Sequence, residues 1–220
     1  MKIATWNTER LKYHKQLEAI IKMLESIDAD ILVLTESDTR IVLSKKYKYS
    51  ASTLKPNDAG LLKYAETERR VQVFSKYEIV NVFETYDPYT TCCAEIKTSL
   101  GNLQVYGTII GVFGNREKSF RTDLATQAKD FRRLSANGNF CLAGDYNMTF
   151  SDNYYFTQQG RNILDEVFKE TGIINCTAGL PEAVDHIAIS KFFLKDTSYK
   201  TQEFNTDKKL SDHKGVCINI

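Results

Sequence analysis

At 220 residues, with 29 lysines and arginines against 28 aspartates and glutamates, the chain can bury a sizeable core but offers no broad basic footprint for a polyanion. Hydrophobic residues make up 42% and are evenly spread, no apolar run approaches a membrane span, and Met1-Lys2-Ile3-Ala4-Thr5-Trp6-Asn7 lacks the apolar core of a secretory signal. Five cysteines, two of them adjacent at Cys92-Cys93, point to neither a disulfide framework nor a zinc knuckle. The expectations are one domain over residues 1–220, a cytoplasmic location and a monomer.

In chain order, Lys2 to Trp6 reads as a strand that delivers Asn7 at its end. Leu17, Ile20, Ile21 and Leu24 recur at helical spacing, with Lys15, Glu18, Lys22 and Glu25 toward water. Asp30 to Glu36 is a second apolar strand ending in a carboxylate. From Arg40 to Lys63 periodicity is weak, and Lys45, Lys46 and Lys48 interleaved with Tyr47 and Tyr49 read as a surface loop with snorkelling lysines. Arg70 to Ser75 alternates as a strand, and Ile79 to Phe83 is its expected partner across Lys76-Tyr77-Glu78. Cys93–Lys97 and Leu103–Ile110 flank Leu100-Gly101-Asn102 as a hairpin. Ser119 is positioned to cap a helix carrying Phe120, Leu124, Ala128, Phe131 and Leu134, which stops at Asn137-Gly138. A short helix over Arg161–Glu170 ends at Gly172. Strands follow at Val184–Ser190 and Lys214–Ile220.

Phe140-Cys141-Leu142-Ala143-Gly144-Asp145-Tyr146-Asn147 draws the most attention. An apolar run stops at a glycine, after which a carboxylate and a carboxamide two positions apart share one side of an extended segment. That pair suits a cation-bound phosphate; Gly-Asp-x-Asn is equally good turn chemistry. Asn7, Glu36, Asp145/Asn147, Asp185 and Ser211-Asp212-His213 all stand at ends of apolar strands, which suggests one shared site at a sheet rim.

Thr5-Trp6-Asn7, Leu34-Thr35-Glu36, Val71-Gln72-Val73-Phe74-Ser75-Lys76-Tyr77, Val105-Tyr106-Gly107-Thr108, Gly144-Asp145-Tyr146-Asn147, Val184-Asp185-His186-Ile187 and Ser211-Asp212-His213, in this order, resemble the endonuclease/exonuclease/phosphatase superfamily. The resemblance implies an α/β (α+β) fold, a four-layer sandwich of two packed mixed sheets with helices outside. It also implies hydrolysis of phosphoesters with Mg²⁺ or Mn²⁺, and nucleic acid as the substrate. A lipid headgroup or small phosphoester is the alternative on the same fold, and a non-catalytic binding module the second.

By the same resemblance Glu36 is the main metal carboxylate, helped by Asn7 and Asp212. Asp145 orients or deprotonates the attacking water, Asn147 donates to a phosphate oxygen, and His213 is the acid/base or phosphate donor paired with Asp185. Tyr106 and Thr108 are the substrate contacts on their strand, where Ile109 offers no polar group, and Arg116 with Asn115 reaches in from the next loop. His186, one residue from Asp185, faces the other way, and His14 is an ordinary surface residue. Pro181-Glu182-Ala183-Val184 lacks the aromatic of abasic-site members, which argues against abasic-site repair. Tyr154-Tyr155-Phe156 with Gln158-Gln159 is read two ways, as base-stacking groups or as packing under a loop.

Overall fold

The computed structural model describes residues 1–12, 16–59, 61–136, 138–195 and 197–220; His14, Lys15 and Asn137 lie outside the described residues. Two six-stranded mixed sheets pack face to face. In the first, β1 (Lys2–Asn7) runs parallel to β2 (Ile31–Asp38) on one side and antiparallel to β12 (Gly215–Asn219) on the other. Beyond β2 come β4 (Glu68–Ser75) and the edge strand β3 (Tyr49–Ser52); beyond β12 lies the other edge, β11 (Lys200–Phe204). The second sheet has the order β5 (Ile79–Phe83), β6 (Thr91–Thr98), β7 (Gly101–Ile109), β8 (Phe140–Asp145), β10 (Asp185–Ser190), β9 (Ile173–Asn175), with only β7 and β8 parallel.

Side-chain alternation explains the layers. Ile3, Val33, Val71, Val105, Ala143 and Ile187 fill the space between the sheets. The opposite parity, Ala4, Trp6, Leu32 and Leu34, packs under α1 (Leu17–Ile27) through Ile20 and Leu24. Tyr106, Leu142 and Ala188 of the second sheet pack under α2 (Ser119–Ser135) and α3 (Gln158–Thr171). The central strands read as unbroken apolar runs because both of their faces are covered. A one-turn helix, α4 (Lys191–Leu194), follows β10 and is capped by the Ser190 hydroxyl.

Three local expectations are corrected. β5 pairs with β6, because β4 is already bonded on both sides by β2 and β3; the Lys76-Tyr77-Glu78 segment carries the chain across to the other sheet. The 40–63 segment contains edge strand β3, and its Tyr47 is core, packed edge-on to Phe74 at 6.1 Å between ring centroids. Ser119 is the first helical residue of α2 and makes no cap; Lys118 occupies that position. The five cysteines are buried free thiols. Among the described residues no helix is long and apolar enough to cross a membrane.

Each sheet holds one pair of parallel strands joined through a helix: β1–α1–β2 in the first, β7–α2–β8 in the second. Parallel strands joined this way put their C-terminal ends on one rim. At that rim Gly144 has φ +142°, and a Cβ there would stand 2.0 Å from the Thr108 carbonyl oxygen. The clash is with backbone of a paired strand and cannot be relieved by a rotamer change. Gly144→Ala is therefore expected to destabilise the fold by about 3 kcal/mol or more, measured by chemical denaturation with an unchanged m-value; a loss under about 0.5 kcal/mol would contradict this close approach.

Candidate active site

Five of the expected groups converge at the rim. Asn7 ends β1, Glu36 lies near the end of β2, Asp145 ends β8, and Asp185 opens antiparallel β10 directly opposite Asp145. Asn7 links the sheets: its Nδ2 donates to Glu36 Oε1 at 3.2 Å and to Asp145 Oδ2 at 3.1 Å. Its Oδ1 accepts from the Glu9 N–H at 2.8 Å, which fixes the orientation of the amide. Glu36 and Asn147 adopt left-handed φ of 43° and 51°, and Glu9, Arg10 and Leu11 follow Asn7 with φ of 50°, 55° and 50°. Such residues cost about 1 kcal/mol or more each, and their clustering here shows that the rim is held by its surroundings rather than by local preference.

His213 arrives from the loop before β12. Its Nδ1 meets Asp185 Oδ2 at 2.7 Å, and its Nε2 lies 3.7 Å from Asp212 Oδ1. The loop is pinned from three directions. Ser211 Oγ donates to the Asn7 carbonyl at 2.7 Å and accepts from the His213 N–H at 3.2 Å. Asn205 Nδ2 donates to the carbonyls of Ser211 and His213 at 2.9 and 2.7 Å, and Trp6 Nε1 donates to the latter at 3.0 Å. Asn205 and Trp6 are positioning residues; Trp6 belongs to the Thr5-Trp6-Asn7 motif, whereas Asn205 lies in none of the motifs. Asn205 lies eight residues before His213 in a stretch without periodicity, so only a fold could have marked it.

Several expected contacts are placed elsewhere. Tyr106 and Thr108 share the β7 parity that faces α2: both are fully buried, with Tyr106 donating to Asp130 Oδ2 at 3.1 Å and Thr108 to Gln127 Oε1 at 2.5 Å. Neither can touch substrate. Asn147 spends both amide hydrogens on the carbonyls of Ile110 and Gly111, at 3.1 and 3.0 Å, so its nitrogen is committed to the main chain rather than to a phosphate. The same turn is gripped from behind, where Gln127 Nε2 donates to the Ile109 carbonyl at 3.0 Å and Asp123 Oδ2 accepts from the Gly111 N–H at 2.6 Å. Asp123, Gln127 and Asp130 are polar residues at helical spacing on the inner side of α2. That violation of its apolar face was the available signal.

Asn115 does reach in, its Nδ2 donating to the Asn147 carbonyl at 2.6 Å. Arg116 instead lies with its guanidinium 5.9 Å from the centre of the Tyr155 ring and lines a separate cavity of about 430 Å³ at the starts of α2 and α3. Tyr154 and Tyr155 border a cavity of about 460 Å³ shared with Asn147, Lys208 and His213. His186 faces away as expected, buried between Thr177 Oγ1 at 3.0 Å and the Met148 carbonyl at 3.1 Å; burial lowers its pKa to about 4.

The electrostatics of the rim are unbalanced. Burial raises Glu36 against the opposing pull of Asn7 and His213, and burial together with the Asp185 charge raises Asp145 to about 7 although His213 draws it down. Burial opposes the charge on His213, but the carboxylates of Asp185 and Asp145 outweigh it and hold its pKa at about 10. One imidazolium thus faces several carboxylates, and among the described residues neither Glu36 nor Asp145 forms an ion pair with a lysine or arginine, Arg10 only drawing Glu36 down weakly from a distance. A hard divalent cation fits that donor set through Glu36, with Asp212 exposed beside it. Asn7 uses one lone pair of its oxygen on the Glu9 N–H and turns its nitrogen to the carboxylates, so in this orientation it braces Glu36. No group of three His, Cys, Asp or Glu side chains closes a cage among the described residues.

The family model described as Endonuclease/Exonuclease/phosphatase family matches residues 4–213. The chain belongs to this family. It is a hydrolase of phosphoester bonds, and its architecture is the family's DNase I-like α/β sandwich. No curated protein matches it in sequence. Among solved structures it is similar to a 3′ phosphatase, NExo, from Neisseria bound to product DNA hairpin, at 15% identity over 100% of this chain and 99% of that one, with a TM-score of 0.71. An AP endonuclease from Archaeoglobus fulgidus gives 15% identity, 100% and 99% coverage and a TM-score of 0.71. Beta toxin from Staphylococcus aureus with bound magnesium ions gives 16% identity, 99% and 98% coverage and a TM-score of 0.65.

The His213–Asp185 pair yields a direct test. Because the folded pKa of His213 is raised from 6.5 to about 10, the pair contributes stability that is complete below pH 6.5 and is lost as pH rises through about 10. NMR titration of the His213 ring should show the proton retained through neutral pH, and Asp185→Asn should lower the pKa by at least about one unit. An unshifted wild-type imidazole would remove the basis for the pair.

Proposed function

We propose that the protein is a divalent-cation-dependent phosphodiesterase that cleaves nucleic acid. The observation that carries this reading is the rim itself: a charged His213–Asp185 pair faces Asp145, which shares the Asn7 amide with Glu36. Asp145, its pKa raised to about 7, is the acceptor for the proton of the attacking water. His213, protonated at neutral pH, donates to the phosphoryl oxygens and stabilises the charge that grows there, while Asp185 fixes its ring through Nδ1. Asn7 holds Asp145 and Glu36 at a fixed separation, and Asn147 with Asp123 and Gln127 holds the 109–111 turn beside them. Mg²⁺ or Mn²⁺ at Glu36 would supply neutralising charge to the phosphoryl group.

Nucleic acid is favoured over a cationic lipid headgroup by the cations near the rim. Lys208 and Lys214 line the cavity at His213, and Arg69 and Arg70 stand on the Glu36 side. Hydrolysis of defined single- and double-stranded DNA and RNA, phosphoinositides, sphingomyelin and small phosphoesters, each with and without Mg²⁺, tests the reading. Cleavage of nucleic acid only with metal is expected, and Glu36→Gln should cost at least about a hundredfold. Rapid hydrolysis of lipid or small phosphoesters with nucleic acid intact would replace it by the phosphatase alternative, and no hydrolysis of any member would favour a binding module.

Metal binding can also be read without turnover. Raised carboxyl pKa values mean that proton binding stabilises the fold at low pH and that this contribution is lost as pH rises from 3.8 through about 7 for Asp145, with Glu36 shifted in the same direction. Mg²⁺ should therefore raise the melting temperature more at about pH 8 than at about pH 5. Glu36→Gln should raise the metal-free melting temperature by removing a half-buried charge that desolvation disfavours, and should abolish the Mg²⁺ increment. An increment that persists in this variant would move the metal away from Glu36.

A further inference from the structure

A further cavity, of about 140 Å³, is lined by Glu36 but not by His213. Its lining is divided: Pro56, Leu62, Ile109 and Val112 make an apolar part with Tyr64, and Arg10, Glu36, Glu68, Arg69 and Arg70 make a charged one. Ile109 is there by strand parity, since the alternation that buries Thr108 under α2 turns Ile109 toward Glu36.

Tyr64 is held rigidly. The Arg10 guanidinium lies 4.4 Å from its ring centre and that of Arg70 lies 5.5 Å away. Arg10 is itself fixed by two bonds to Glu68, at 2.6 and 3.2 Å, and one to the Lys63 carbonyl at 2.5 Å. Arg10 reaches this place because residues 9–11 follow Asn7 in a left-handed turn.

Three properties define the occupant. It must be covalently attached to the phosphoester at Glu36, because Glu36 lines both places. It is small, since the space lies well below the roughly 300 Å³ at which drug-sized ligand pockets begin, too little for an acyl chain, and the part of it that meets Pro56, Leu62, Tyr64, Ile109 and Val112 offers a flat apolar group its contacts. Its neighbours along the substrate are anionic. Among the described residues neither Arg69 nor Arg70 has a carboxylate partner; Arg69 donates to the carbonyls of Glu66 and Glu68, and Arg70 to Thr90 Oγ1 and Tyr64 Oη. A flat heterocycle flanked by phosphates meets all three, and a choline-like headgroup is repelled by the arginines.

We propose that this pocket seats the nucleobase next to the scissile phosphate, with Leu62, Tyr64 and Ile109 as the residues that decide whether a base is accepted and Arg69 and Arg70 as contacts to the adjoining phosphates. The proposal rests on the nuclease reading and adds to it a requirement for a base on one side of the cleaved bond.

The test uses oligonucleotides of one sequence in which the nucleotide on either side of a single cleavable phosphodiester carries its base or is replaced by a tetrahydrofuran abasic residue. Removing the base on one side should lower kcat/KM about tenfold or more, and removing it on the other should have little effect. Leu62→Trp, at a half-exposed loop position, fills the pocket, and the ratio between base-bearing and base-free substrates should collapse toward one; Ile109→Asn gives an independent change of the floor. In excess chelator, where no turnover occurs, 2-aminopurine at the sensitive position should change its fluorescence on binding to wild-type protein, and this change should be lost in Leu62→Trp. Cleavage of nucleic acid at equal rates with and without a base on both sides overturns the pocket assignment and leaves the nuclease reading standing. Failure to cleave any nucleic acid, with lipid or small phosphoesters hydrolysed, overturns the reading on which it rests, and the pocket then belongs to whichever ester Leu62→Trp impairs.

Discussion

The amide of Asn7 touches both halves of the reaction centre. Its two hydrogens go to carboxylates on different sheets, Glu36 of the first and Asp145 of the second. The half-buried Glu36 and the buried Asp145 repel each other, and a neutral donor between them holds their separation without cancelling their charge. A lysine in that place would neutralise the pair and leave no demand for a cation, whereas an apolar side chain would leave the carboxylates unbonded. The rest of the rim is built around this compromise: the sheets must approach closely enough for one side chain to reach both, and the glycine before Asp145 permits the required contact with Thr108.

Charge is divided unequally along the cleft. On the Asp185 side the imidazolium of His213 bonds one oxygen of a fully buried carboxylate, whose Oδ1 has no hydrogen-bond partner among the described residues, while on the Glu36 side no imidazolium stands against the carboxylate. The polarity matches a phosphoester that is gripped by a proton donor at one end and by a metal at the other. The network beneath, from Asp123 and Gln127 through the 109–111 turn to Asn147, has no reacting atom in it and serves to keep that polarity fixed.

Most of the architecture was legible because central strands buried on both faces are unbroken apolar runs, and because each such run ends in a polar residue that packing does not need. Asn7, Glu36, Asp145, Asp185 and His213 were all readable in this way. Edge strands β3 and β11 were not, since their outward side chains carry no alternation and their strand character comes from backbone pairing with β4 and β12. Tyr106 and Thr108 were misplaced for a different reason. Alternation says that they share a face but not which face meets the site, and the answer depended on a helix that supplies partners for both hydroxyls. For Asn147 residue type suggested a phosphate donor, yet both amide hydrogens go to the carbonyls of Ile110 and Gly111 in the neighbouring turn.

The central position of β1 has a kinetic meaning. Its outer neighbour β12 pairs Lys2 with Asn219 and Thr5 with Val216, so the first sheet is closed only by contacts spanning more than two hundred positions. Loop closure over such distances is slow and the partly formed sheet exposes unpaired edges meanwhile. During synthesis at about 5–20 residues per second, β1, β2 and Glu36 exist for many seconds before His213 is made. An emerging chain thus holds carboxylates without their acid, and hydrolytic competence arrives together with the last pairing of the sheet, which makes activity a late and stringent report of native topology.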